Sequence, residues 1–443
     1  MLLNKNLIIA CATQLVISFL LLFTTVCIAD TNSESLPEPL TLDVALRLSD
    51  QNHPDLRYID AELQDSRSNL QLALSNNDLS IDLKATARWI EPAMLAPNQS
   101  NEDHTAGLYV KKTLYDFGRS SAQVDAATNQ VLNQDYQYLN ARQRQYLNVM
   151  KHYFDVVLAD LAFYRYNEEM AVAYIQFNRM EIREKLGQFT AVDVARLEVE
   201  YQRVRRLRTY SENQQRLTRS LLAQALNKPN NLPATVAKPE LDVLSRKLPE
   251  FEELQKSVKE NNPLLRAIQA KLLAAKNNIQ YARSTDKPTL SAGFDTFSYA
   301  RETGSSDKWR ANITLDIPLW SGGRVDAGVA KAKAAVYKLE ALLAQQERAL
   351  QQQVLELWLG LQTLKIKHDE VTSAMNFAEL SLDKNRALYE LEVQADLGLS
   401  MVKFSEAERN VVKTNFDIAL AWAQLDALNG TLLTSTKETS TNK

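Results

Sequence analysis

The chain repeats itself. Gln51-Asn52-His53-Pro54-Asp55-Leu56-Arg57 returns as Glu260-Asn261-Asn262-Pro263-Leu264-Leu265-Arg266, at an offset of 263 − 54 = 209. Leu114-Tyr115-Asp116-Phe117-Gly118-Arg119 returns as Leu319-Trp320-Ser321-Gly322-Gly323-Arg324, at an offset of 324 − 119 = 205. Ala225-Leu226-Asn227 and Ala427-Leu428-Asn429 close the two halves alike, and a connector with Pro229, Pro233, Pro239 and Pro249 joins them. Such self-similarity means that one unit of structure is used twice. The halves run from about 30 to 248 and from 249 to 430, and a Thr/Ser/Lys tail at 431–443 is expected to be disordered.

Each half predicts the same order: helix, strand, strand, very long helix, helix. Pro54 or Pro263 opens the first helix, where a missing N–H costs nothing. The strands are read from period two, at about 79–90, 105–116, 288–300 and 309–320. Leu79, Ile81, Leu83, Ala85, Ala87 and Trp89 alternate with polar residues, as do Trp309, Ala311, Ile313, Leu315, Ile317 and Leu319. Leu290, Ala292 and Phe294 form a shorter stripe, and Ala106, Leu108 and Val110 the weakest. Segments of roughly ten residues suit tilted strands crossing a bilayer. Trp89, Tyr299, Trp309 and Trp320 stand near segment ends, where an interfacial aromatic girdle belongs.

Steps of three, four and seven mark the long helices. Val124, Ala127, Val131, Tyr138, Leu147, Met150, Phe154, Val157 and Leu161 trace a seam in the first half. Val329, Ala332, Val336, Leu339, Leu343, Leu350, Leu357 and Leu361 trace one in the second. A helix from Ser120 to Leu186 would be about 100 Å long at ~1.5 Å per residue. Pro54–Asn77 and Ala191–Leu226 laid end to end nearly match it, and Pro263–Ser284 with Ser400–Asn429 repeat the arrangement beside Arg324–Leu391. The expected result is a rod of helices with strands at one end and helical tips at the other.

The first 29 residues read as a signal peptide: Lys5, an apolar run from Leu7 to Cys27, and cleavage after Ala29. A retained membrane anchor is the alternative. Lipidation of Cys27 is disfavoured by Thr24-Thr25-Val26, which lacks the usual leucine and small residue. Cys11 and Cys27 both lie in this leader, so the mature chain needs no disulfide. Without Lys5 the chain carries 50 basic against 54 acidic residues, a balance that gives no reason to expect nucleic acid. The mean hydropathy of −0.31 argues against a bundle of membrane helices. A bilayer crossing must then be made by a closed barrel. Four strands per chain cannot close one. Two copies would fill their own interior, whereas three leave an aqueous lumen.

These features together resemble the TolC-like outer-membrane efflux and secretion family. The resemblance rests on the paired Asn-x-Pro openings, the Phe117-Gly118-Arg119 and Gly322-Gly323-Arg324 steps from strand into helix, Gly187 through Asp193 at a helix turn, and Leu428-Asn429-Gly430 at the close. It implies a fold that is mainly α with a membrane β-barrel portion, a homotrimer with a twelve-stranded barrel in outer-membrane lipid, and a helical tube reaching into the periplasm. It also implies a periplasmic adaptor (membrane fusion protein) and an inner-membrane transporter as partners, with no cofactor.

The candidate functional residues lie at the two helical tips: Gly187, Thr190 and Asp193 in the first, Asp396, Ser400 and Lys403 in the second. As an aperture they would narrow the tube and meet the adaptor. As ordinary helix starts, Thr190 and Ser400 would be caps and Asp193 a first-turn acid. Alignment of the last helix puts the family's aperture carboxylates at Ser400 and Lys403, neither of them acidic, with Asp396 the available substitute. Gly118, Gly322 and Gly323 are candidates for the bend from barrel to tube.

The remaining features read blandly. Arg203, Arg205, Arg206 and Arg208 form a basic run with Glu198, Glu200 and Glu212 in reach, the pattern of a solvated face. His53, His104, His152 and His368 fall in four separate elements, and no metalloprotease, nucleophile-elbow or phosphate-loop motif is present. His53 reads as a helix cap, and Gly304-Ser305-Ser306 as a hairpin loop. A passive transport duct fits best. A soluble periplasmic coiled-coil adaptor or scaffold is the alternative, though it has no need of a lipid-facing stripe.

Overall fold

The computed structural model describes residues 36–49, 53–302, 306–392 and 396–433. The signal-peptide reading, Gln51-Asn52 of the first repeat motif, Gly304-Ser305, Val393 through Ala395 of the second tip and residues 434–443 of the tail lie outside them. Residues from Glu38 onward form one compact unit.

After α1 (Leu42–Leu48), the first half runs α2 (Pro54–Ser75), β1 (Ser80–Thr86), β2 (Thr105–Tyr115), α3 (Arg119–Lys185) and α4 (Ala191–Ala225). The second runs α5 (Phe251–Asn261), α6 (Pro263–Arg283), β3 (Thr289–Tyr299), β4 (Trp309–Asp316), α7 (Arg324–Glu390) and α8 (Leu397–Leu428). The expected repeat order is present in both, and each half carries a further helix ahead of its proline-led one, α1 in the first and α5 in the second.

Local chemistry accounts for the helix starts. Pro54 and Pro263 occupy the first turns of α2 and α6. His53 Nδ1 accepts from the Asp55 N–H at 3.3 Å, and Asn262 Oδ1 from the Leu265 N–H at 3.1 Å. The cap role read for His53 is therefore observed. Asn262 also donates to the Leu428 carbonyl at 2.9 Å, tying the end of α8 to the start of α6. Gly430 sits in that joint at φ +75°, where a Cβ would fall 2.9 Å from the Asn261 carbonyl oxygen. The Thr431 N–H returns to the Asp426 carbonyl and Leu432 is buried, so order extends into the segment expected to be a disordered tail.

The two long helices have 67 residues each, ~100 Å by the α-helical rise. Helix α3 packs along both α2 and α4, and α7 along both α6 and α8, as end-to-end stacking requires. Helix α3 also packs on α6 and α8, so it lies between the two repeats. That placement corrects its expected seam. Met150, Phe154 and Val157 are buried as expected, but toward the sheet the buried positions are Ala122, Ala126, Asn133 and Ala141. A helix with partners on two sides does not bury a single heptad stripe. Phe154 stacks on Phe416 of α8 at 4.1 Å between ring centroids. In α7 the expected seam is the less exposed side, with Val336 and Leu361 buried. Another core cluster joins Val258, Val354, Leu361, Ile418, Trp422 and Leu425.

Tyr153 fixes the connector to α3. Its hydroxyl faces the Leu40 carbonyl at 2.9 Å and the Ala237 carbonyl at 2.6 Å, beside a parallel bridge between Leu40 and Val236. Burial, with the Asp43 charge adding to it, pushes this hydroxyl up to about 12, so it stays a donor.

The strands form one antiparallel sheet in the order β1-β2-β3-β4. Register puts Ile81, Val110, Phe294 and Ala311 in one row, and Leu83, Leu108, Thr296 and Trp309 in the next row of the same face. The opposite face carries the rows Asp82-Tyr109-Asp295-Arg310 and Ser80-Lys111-Gly293-Asn312. The period-two reading is thus realised as one apolar and one polar face. The outer strands are shorter than the expected 79–90 and 309–320. Beyond Thr86 only an isolated bridge, Trp89 to Glu102, remains, and beyond Asp316 Pro318 lacks the N–H that a ladder needs. Tyr299 also departs from expectation. It shares the polar face with Phe297 and Tyr109 rather than joining a girdle with Trp89 and Trp309.

Candidate functional site

The first tip is closed by local hydrogen bonds. Gly187 is left-handed at φ +73° and its N–H reaches the Glu184 carbonyl at 2.8 Å, while the Gln188 N–H reaches the Arg183 carbonyl at 3.0 Å. This ending lets α3 turn back into α4. Thr190 then caps α4 in a reciprocal box. Thr190 Oγ1 accepts from the Asp193 N–H at 3.3 Å, and Asp193 Oδ2 accepts from the Thr190 N–H at 3.1 Å and from its hydroxyl at 2.7 Å. The hydroxyl bond, then the backbone bond, hold the Asp193 carboxyl below the usual range, although it stands in solvent.

The second tip differs. Helix α8 starts at Leu397, earlier than the expected Ser400, because Asp396 is the cap: its Oδ1 accepts from the Leu399 N–H at 3.1 Å. Ser400 is buried one turn further on. Its hydroxyl donates to the Asp396 carbonyl at 3.1 Å and accepts from Asn385 Nδ2 of α7 at 2.7 Å. The capping reading of Ser400 is thereby corrected: it is a tie between α7 and α8. Lys403 is exposed and lines an open groove of about 250 Å³ with Glu370, Phe377, Ser400 and Glu406.

A residue not singled out in the sequence sets where this tip rests. A Cβ on Gly398 would fall 2.7 Å from Val172 Cγ2, so α8 approaches α3 more closely than any other residue permits. The available signal was a glycine inside a helical pattern, which lacks meaning until the partner helix is known. Below this contact, Arg165 of α3 reaches Glu406 of α8 at 3.5 Å, and Ser405 donates to Glu168 at 2.6 Å. Arg203 of α4 joins Glu169 at 3.2 Å and Glu200 at 2.7 Å, and Arg208 pairs with Glu212 at 2.7 Å. Two of the four arginines in the run, Arg203 and Arg208, are thus paired with glutamates.

The step from sheet to helix is built alike in both repeats. Phe117 and Gly118 stand at φ +55° and +84°, Gly322 and Gly323 at +64° and +76°. Two successive left-handed residues redirect the chain, and Gly118 and Gly323 immediately precede α3 and α7. In the first repeat Asp116 completes the turn. Its Oδ2 accepts from the Ser120 N–H at 2.8 Å and from the Ser120 hydroxyl. Burial pushes this carboxyl up, but the Ser120 bonds and the Arg119 charge outweigh it and hold it below the usual range. Its counterpart in the second repeat is Ser321.

Among the described residues no group of three or more His, Cys, Asp or Glu is placed to hold a metal ion, and no helix is long and apolar enough to cross a membrane. His104 Nδ1 accepts from the Arg88 N–H at 3.2 Å and packs against Trp89, a structural role in the β1–β2 loop.

Known proteins share this architecture. The chain superposes on the CmeC outer membrane channel of Campylobacter jejuni with a TM-score of 0.72 at 14% identity, covering 88% of this chain and 86% of that one. It superposes on the outer membrane protein VceC of Vibrio cholerae at 0.71 and 17% identity, covering 88% and 96%. A membrane protein from Pseudomonas aeruginosa gives 0.71 at 19% identity, covering 89% and 91%. Protein CyaE of Bordetella pertussis is 26% identical over 261 residues, a stretch that spans 58% of this chain and 55% of that relative. The family model described as outer membrane efflux protein matches residues 45–228 and 254–434, one segment in each repeat and most of the chain. The chain belongs to the outer membrane efflux protein family.

Proposed function

We propose that three copies of this chain form a passive outer-membrane duct that exports cargo received from an inner-membrane transporter through a periplasmic adaptor, as the outer component of a tripartite efflux or type I secretion system. The observation that carries this reading is the sheet. Every residue of β1 and β4 is exposed, Leu83 and Ile313 each by 75%, and each of these strands has a neighbour on one side only. An apolar face beside open edges needs both lipid and further strands. The four strands alternate in direction, so β4 of one copy meets β1 of the next antiparallel, and three copies close at twelve. Helix α7 supports the same assembly. Along its 67 residues only Val336, Val354, Leu361, Val371 and Ala378 are buried within the chain.

In this reading Gly118, Gly322 and Gly323 form the bend from barrel to tube. The tips around Gly187, Thr190, Asp193, Asp396, Ser400 and Lys403 form the periplasmic aperture and the adaptor's contact. Asp193 and Asp396 are both engaged in capping, which makes them part of the tips' rigidity as well as their charge. The duct needs no cofactor, since the inner-membrane partner supplies the energy. Membrane fractionation of the expressed protein, with its mass in mild detergent, tests the proposal. The expected result is an outer-membrane particle of three protomer masses. A soluble periplasmic monomer or dimer would overturn it and return the chain to a coiled-coil scaffold.

A further inference from the structure

The register leaves one charge on the apolar side of the sheet. Asp82, Lys84, Lys111, Asp295, Arg310 and Asp316 all stand on the polar face. Lys112 of β2 pairs with Ala292, which pairs with Ile313, and so stands on the apolar one. Lys112 is exposed, and no ion pair or hydrogen bond engages its ammonium among the described residues. An irregularity in the same strand gives it a companion. The pairing of β2 with β3 shifts after Thr113, so that Leu114 is skipped and Tyr115 pairs with Leu290. Without that shift Tyr115 would follow Tyr109 and Lys111 onto the polar face. With it, Tyr115 joins Lys112, Leu290 and Leu315 on the apolar face, since bulges re-aim side chains in this way. Tyr115 is 57% exposed and meets the Phe117 ring edge-on at 4.8 Å between centroids. Strand β2 ends at Tyr115 and α3 begins at Arg119, so both side chains belong to the end of the sheet nearest the helices. Lys112 is 119 − 112 = 7 residues from the start of α3, whereas Ile313, two strands along the row, is 324 − 313 = 11 residues from the start of α7.

We propose that Lys112 and Tyr115 hold the phosphate of a phospholipid headgroup on the outer wall of the barrel, in the periplasmic leaflet. This rests on the barrel reading above, since it needs the apolar face to meet lipid. A lysine on a lipid-facing wall is costly at the bilayer midplane and tolerated near an interface. Its stem lies along apolar surface while its ammonium reaches for the headgroups. Tyr115 and Phe117 mark the interface at this end, where aromatic rings sit at headgroup level. Neighbouring rows on one face are about 7 Å apart, close to the reach of a lysine side chain, so the ammonium can stand level with the Tyr115 hydroxyl. The ammonium supplies charge and the phenol a hydrogen bond, and a phosphate accepts both. Leu290 and Leu315 beside them offer an apolar wall to the acyl chains, which makes the occupant a lipid rather than free phosphate.

Native mass spectrometry of the full-length protein in mild detergent tests this, with dioleoylphosphatidylglycerol and phosphate-free dioleoylglycerol as probes. The wild type is expected to retain the phosphatidylglycerol in preference to the diacylglycerol. Lys112→Gln should weaken that retention roughly tenfold, the scale of one charge-assisted hydrogen bond, and Lys112→Arg should preserve it. Tyr115→Phe should weaken it less, and Lys111→Gln, on the polar face, should leave it unchanged. Equal retention by the wild type and Lys112→Gln would overturn the proposal, as would an equal loss in Lys111→Gln. Should Lys112→Gln fail to assemble, the wild type decides alone, and equal retention of the two lipids overturns it. Wild-type protein absent from the outer-membrane fraction would instead sink the barrel reading, a result separable from all of these.

Discussion

At the scale of single residues, the tips are governed by short-range chemistry. Thr190 and Asp193 satisfy each other's backbone at the start of α4, and losing such a cap costs about 1 kcal/mol in typical helices. Thr190→Ala is therefore expected to speed amide hydrogen exchange at Asp193 and the following turn while leaving α8 unchanged. The Asp193 carboxyl is held below its ordinary range, so its contribution is present above that range and is lost only as pH falls through the lowered value. Protection of the first turn of α4 should thus persist near pH ~4, where an ordinary aspartate is about half protonated. In Thr190→Ala it should fall away at higher pH. These caps were legible in the sequence because a capping box is a pattern of four neighbouring residues. Ser400 was misread because its bond to Asn385 joins residues on two helices.

At the scale of elements, the sheet was legible as alternation. Alternation shows that two faces differ, and register shows which residues share a row. Ile313 lies mid-strand on the apolar face and Thr314 on the polar one. In the proposed barrel, Ile313→Arg should cost about 2–4 kcal/mol near the bilayer midplane, and Thr314→Arg far less. The measurement is the yield of assembled particle in the outer-membrane fraction, where Ile313→Arg alone should be depleted. Equal yields of the two would refute the face assignment. Phe297 and Tyr299 escaped the alternation reading, since aromatic residues on a polar face look like strand formers wherever they occur. The Phe297 ring has its place from Gly107 opposite it and from Tyr109 and Tyr299 beside it.

At the scale of the whole molecule, stability depends on joints between distant segments. The Tyr153 hydroxyl holds the segment at Leu40 and the connector at Ala237 against α3. Tyr153→Phe should lower stability by about 1 kcal/mol and hasten proteolysis in the connector, with conductance unchanged. Faster cleavage at the helical tips instead would refute this role. By itself the sequence determined the duplicated order of elements, the lengths of the long helices, the prolines and caps that start them, and the two-faced character of the strands. Each follows from interactions within a few residues or from a simple period. Only the tertiary structure decided that α3 lies between both repeats, that Gly398 seats the second tip on Val172, that Ser400 ties α7 to α8, and that Phe297 lies over Gly107. Those contacts join residues far apart in the chain or on different elements. Their physical meaning, close packing without room for a Cβ or a buried polar atom finding its partner, exists only once the partner surface is in place.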